Sequence, residues 1–166
     1  MGDSPVLGGS YSFAIQRQDD VWWGNCAWCS LGAAALLGGD GIRIYTTLGG
    51  EGEAVAIHID GHQVRENLFV HFPIPMASAW NNVMFTCSTM LVFKDASAVD
   101  AWSRRHALPR GDVRAIQTVY EFARVWYGRH LEEDWRKWTI SEAREIFRSF
   151  GLEGPIWDLP TLDRGF

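Results

Sequence analysis

A chain of 166 residues with a net charge of −5 is long enough to bury a core and carries no basic patch suited to nucleic acid. Hydrophobic residues at 47% and charged ones at 21% read as one globular domain over residues 1–166, and no run approaches the roughly 18 apolar residues of a membrane span. Three cysteines, an odd number, with no signal-peptide pattern ahead of them, read as reduced cytoplasmic thiols kept for reactivity or metal binding.

Residues 1–9, with Gly, Ser and Pro, read as a loose start. Tyr11, Phe13 and Ile15 alternate with small or polar residues and predict a strand, Asp19-Asp20 marks a turn, and Val21-Trp22-Trp23 leads into a helix. That helix opens at Asn25-Cys26-Ala27-Trp28-Cys29. Asn25 is expected as its N-cap, Ala33, Ala34, Ala35, Leu36 and Leu37 favour its interior, and Gly38-Gly39 ends it. Cys26 then falls in the first turn, where free N–H groups and the helix dipole stabilise a thiolate, and Cys29 shares its face. Cys26 is therefore expected to be the most acidic of the three thiols.

Ile42 to Thr47 and Ala54 to Ile59 read as strands about a Gly49-Gly50-Glu51-Gly52 turn, and Leu68 to Phe72 as a third ending at Pro73. Short strands joined by tight glycine turns predict an antiparallel meander rather than βαβ units. Residues 78–82 suit a helical turn, and the apolar run of residues 83–93, which holds Cys87, reads as a buried central strand. Residues 97–106 look helical. Val113, Ile116, Val119, Tyr120, Ala123, Trp126 and Tyr127 repeat at helical spacing, and a capping box at Thr139 and Glu142 opens a last helix ending at Gly151. Gly154-Pro155-Ile156-Trp157 is expected to lie over the core. The fold class is α+β, an antiparallel or mixed sheet meander packed by helices.

Taken in order, these pieces resemble the catalytic core of the alkylmercury (organomercurial) lyase family over about residues 10–130, leaving about 131–166 as a C-terminal helical extension. The resemblance rests on an aromatic approach to Cys26 and an Ala/Leu-rich helix with a Gly end. It continues through Arg43-Ile44 opening a strand and a second cysteine, Cys87, before an apolar strand ending at Phe93. Asp100-Ala101-Trp102-Ser103 to His106 and Val119 to His130 complete it. It implies an enzyme, a lyase that protonates a carbon–mercury bond to give a hydrocarbon and Hg(II). No cofactor is required beyond Hg(II) or another soft metal as product or ligand. The implied partners are a small organometal and a mercuric-reductase-like acceptor of the metal, with neither nucleic acid nor membrane. By motif position Cys26 and Cys87 match the family's two mercury-binding thiols, and Cys29 stands where the family has its proton-carrying aspartate. The family also carries a helical, winged-helix-like segment ahead of this core, whereas 25 residues precede Cys26 here.

Thiolates are the natural ligands of a soft ion such as mercury. A free thiol with a pKa of about 8.5 is mostly protonated at neutral pH, so Cys29 can hold a proton for carbon and then become a third soft ligand. Cys26, Cys29 and Cys87 are thus the expected catalytic and metal-binding residues. The alternative is a non-catalytic soft-metal binder built on the same three cysteines. A redox Cys-X-X-Cys belongs to a βαβ context that the meander lacks. His58, Asp60 and His62 at a hairpin turn could complete a zinc site with the cysteines, but read more simply as solvated turn residues. Cys87 in an apolar strand, taken alone, is more often a small core residue. Trp22, Trp23 and Trp28 suit either a pocket wall or the core, and residues 129–137 read as a solvated charged face.

Overall fold

The computed structural model describes residues 12–160. Tyr11 and the loose start at residues 1–9 lie outside them. The chain builds two antiparallel sheets. Strands β1 (Phe13–Arg17), β2 (Asp20–Gly24), β3 (Ile42–Thr47), β4 (Ala54–Asp60) and β5 (Gln63–Val64) form the first, in the order β2-β1-β3-β4-β5. Strands β6 (Phe69–Phe72), β7 (Val92–Phe93) and β8 (Asp112–Ala115) form the second, in the order β7-β6-β8. The alternation in β3 and β4 sets the buried face. Ile42, Ile44, Ile57 and Ile59 are fully covered, and the pairs Ile42–Ile59 and Ile44–Ile57 sit opposite one another across the ladder.

Helix α1 (Ala27–Leu36) lies on β1 and β2, and α5 (Ile116–Tyr127) packs alongside it and reaches β5, β6 and β8. Their seam is aromatic: Trp28 stacks on Phe122 with ring centroids 4.9 Å apart. Gly32 makes the close approach possible, since a Cβ there would meet Tyr127 Cδ2 at 2.2 Å. The last helix, α6 (Ile140–Ser149), opens with the capping box of Thr139 and Glu142 and sets Phe147 against Phe122 and Trp126. Trp157 closes the layer, its ring 4.8 Å from Phe72 and its Nε1 donating to Asp112 Oδ2 at 2.6 Å.

Four sequence-based expectations change. Val21-Trp22-Trp23 is not a lead-in but strand β2, paired to β1 from Asp20 to Gly24. Helix α5 starts at Ile116, because Val113 belongs to β8 opposite His71. The cap of α1 is Cys26 rather than Asn25. Cys26 has the extended backbone of a cap (φ −146°, ψ 165°), and its sulfur accepts the Cys29 N–H. The largest change is at residues 83–93. They form helix α3 (Val83–Thr89) and only then the short β7, so Cys87 is helical. Asn82 starts the helix by accepting the Phe85 N–H at 3.1 Å, and Ser88 and Thr89 fold their hydroxyls back onto carbonyls three residues earlier. The run is not apolar from enclosure, for Val83, Met84 and Phe85 are 47%, 64% and 44% exposed. The other two helices are α2 (Met76–Ala79), followed by a tight helical turn at Trp80–Asn82, and α4 (Ala96–His106).

Candidate metal centre

The local structure that made Cys26 a cap also places the site. Ala27 donates its N–H to the Met90 carbonyl at 2.9 Å, which ties the start of α1 to the chain just past α3. Cys87, in the last turn of α3, is thereby brought to Cys26, and Cys29 stands one turn further along α1. The three sulfurs lie within 4.8 Å of one another. All three cysteines are free, Cys26 fully buried and the other two half-buried.

The cluster opens into a cavity of about 220 Å³ with aromatic walls. Trp28, Trp80, Trp126 and Tyr127 line it together with His130, Trp135, Lys137 and Trp138 from the stretch after α5. No carboxylate is among the lining residues. Trp28 Nε1, His130 Nδ1 and Trp135 Nε1 are buried without a partner, an arrangement that ordinarily costs about 1–3 kcal/mol for each group. Three of the five such atoms among the described residues therefore belong to this cavity.

Three thiols this close cannot share their protons evenly. Cys29 is pulled down to about 3, chiefly by accepting from the Cys26 thiol, then from Cys87, with a smaller contribution from the Tyr127 hydroxyl. The hydroxyl lies 3.7 Å from its sulfur. Cys26 is held well above the ordinary thiol range by its hydrogen bonds to Cys29 and Cys87 and by burial. Cys87 is pushed up to about 11: its contact with Cys26 lowers it, but its bond to Cys29, burial and the charge on Cys29 outweigh that. Burial, then the neighbouring thiolate, raises Tyr127, which stays a phenol and a donor. The acidic thiol is thus Cys29 and not Cys26. The helix end does not make Cys26 acidic because its S–H is engaged with Cys29 and Cys87, and burial adds to the effect, Cys26 being 0% exposed.

The other candidates disperse. His58 bonds Glu66 at 2.6 Å, Asp60 pairs with Arg65, and His62 lies against Arg124. Among the described residues, the three cysteines are the one group of ligands able to share an ion. Trp22 and Trp23 stand exposed on β2, and only Trp28 of that trio reaches the cavity. Residues 129–137 are not simply a solvated face, since His130, Trp135 and Lys137 wall the cavity. Aromatic residues spaced among the charges are the signal in the sequence that marks this wall.

Two antiparallel sheets are flanked by helices, and thiols from two helix ends meet in an aromatic cavity as a group that could hold a soft metal ion. The alkylmercury lyase family model matches residues 10–128, and the chain belongs to that family. It is also similar in fold to the mercury-bound form of MerB2, with a TM-score of 0.58 and 14% identity over 74% of this chain. The chain spans 59% of the length of that protein. No curated protein matches it. Among the described residues, no helix is long and apolar enough to cross a membrane.

Proposed function

We propose that this protein cleaves carbon–mercury bonds by protonation, with Cys26 and Cys87 binding the metal and Cys29 carrying the proton. The observation behind this reading is the meeting of three sulfurs within 4.8 Å in a cavity that has no carboxylate. An organomercury cation, R–Hg⁺, meets a cluster holding two S–H protons and one thiolate. Mercury binds the Cys26 and Cys87 sulfurs, and one of their protons passes to Cys29. As the metal takes those two sulfurs, Cys29 loses the S–H donors that held its proton affinity down. Two thiolates meanwhile make the bound carbon more basic, so a proton reaches carbon as the carbon–mercury bond breaks. The balance closes: R–Hg⁺, two thiols and one thiolate give R–H, a neutral dithiolate of Hg(II) and one thiol.

The cavity suits an aryl substrate as well as an alkyl one, since an apolar cavity of about 150 Å³ already admits benzene. The product Hg(II) would pass to a soft acceptor, a mercuric-reductase-like protein. The test is gas chromatography of benzene or methane released from phenylmercury or methylmercury, alongside mercury retained per chain. Release is expected from the native protein and none from Cys26→Ser or Cys87→Ser, with Cys29→Ser slower by about 10²–10⁴-fold. Intact organomercury on the protein with no hydrocarbon released would leave the non-catalytic soft-metal binder standing instead.

A further inference from the structure

From the number of sulfurs and the charge they would carry, we infer that the Cys26–Cys29–Cys87 cluster is also a site for a trivalent soft ion, taken up from arsenite as a neutral trithiolate. This does not rest on the cleavage reading. A divalent ion is neutralised by two thiolates. With the third sulfur also bound as thiolate the complex keeps one uncompensated negative charge, whose burial costs more than that of a neutral complex. A trivalent ion needs all three sulfurs to reach neutrality. The walls here are aromatic, with no carboxylate and with Lys137 as the one fixed cation among the lining residues. Such a cavity therefore matches the trivalent complex better than a three-coordinate divalent one.

Geometry agrees. The sulfurs lie within 4.8 Å of one another, and trivalent arsenic, which carries a lone pair, binds at the apex of a pyramid on three sulfurs that draw closer as bonds of the usual thiolate length of about 2.3 Å form. Cys87 and Cys29 are half-buried, and Cys26 is fully buried as the cap of α1. The three donors come from two helix ends, so they stand around a point rather than along a line. The step balances without a change of oxidation state. Three As–O bonds of As(OH)₃ break, three As–S bonds form, and each hydroxide leaves as water with one proton, two from the thiols and one from solvent for the sulfur already ionised. An arsenical bearing one organic group has only two exchangeable oxygens and would leave one sulfur free.

The experiment is a titration of the reduced full-length chain with sodium arsenite, read by intact mass and by iodoacetamide labelling. The expected product is one arsenic per chain in place of three hydrogens, with all three thiols protected from alkylation. Phenylarsine oxide should leave one thiol open to the label. Loss of an outer-shell partner alone costs about 10–100-fold in metal affinity, so Cys87→Ser and Cys29→Ser should weaken arsenite binding at least that much. If two or fewer thiols of the native chain are protected, or if the serine variants bind arsenite as tightly as the native chain, the inference is overturned. Because the native labelling count is decisive alone, a variant that fails to fold does not blunt the test. Benzene release from phenylmercury, measured on the same preparation, reports separately on cleavage.

Discussion

The proposed chemistry asks Cys29 to be an anion in the resting protein and an acid at the moment of bond cleavage, and its neighbours decide which. With its pKa at about 3, it is ionised throughout the neutral range. A thiol whose folded pKa is lowered keeps its thiolate until the pH falls to that value. Alkylation of Cys29 should accordingly be flat from about pH 5 upward, with Cys26 and Cys87 reacting only in alkali. Mass spectrometry of labelled peptides against pH checks this, and a rate at Cys29 rising near pH 8.5 would contradict it. Tyr127→Phe removes one donor and should lift the Cys29 pKa without displacing the ring. Cys29→Asp should raise turnover on phenylmercury, because a carboxylate can pass a proton and yet is a hard, weak ligand that lets Hg(II) leave. Benzene release under steady-state conditions measures it.

Between elements, the decisive fit is α1 against α5. Gly32 is one turn beyond Cys29, and the Tyr127 ring occupies the space its missing side chain leaves. Gly32→Ala should destabilise the fold by about 1–3 kcal/mol, because a methyl group there has to push the ring away. It should also carry the hydroxyl off the Cys29 sulfur. Urea denaturation gives the first effect, and a raised pH for Cys29 alkylation gives the second. Elements with their signal in local sequence were legible: the glycine-ended α1, the β3–β4 ladder and the capping box of α6. Helix α3 was not. Residues 83–93 show no period, and what makes them helical is one cap at Asn82 and hydroxyls that serve their own turn. The bond from Ala27 to Met90, which carries Cys87 to Cys26, is a tertiary contact that no local pattern announces.

At the scale of the molecule, the site is where the two helix ends and the chain after α5 converge. The cysteines could be singled out from order and spacing, but the wall of His130, Trp135 and Lys137 could not be assigned to them. Those residues reach the cavity only because α5 packs on α1. The core has a titratable weak point at His71, which is 0% exposed and bonded through Nε2 to the Arg110 carbonyl at 2.6 Å. A carbonyl only accepts, so Nε2 carries the proton and Nδ1 is bare. Burial lowers the His71 pKa. A base depressed on folding stabilises the protein above its unfolded pKa of about 6.5, and that stability is lost as pH falls toward the folded value. The melting temperature should therefore drop between pH 7 and pH 5, and His71→Gln, which keeps a donor for Arg110, should flatten that drop.

The sulfur that caps α1 is also one that the proposed chemistry gives to mercury. A lone pair engaged with a metal is withdrawn from the Cys29 N–H at 3.3 Å, so loading the site loosens the first turn of the helix that presents it. Occupancy and fraying are then two readings of one event. Deuterium uptake at the Cys29 amide should quicken as Hg(II) binds, while the amides at the far end of α1, held by Ala33 and Ala35 carbonyls, keep their pace.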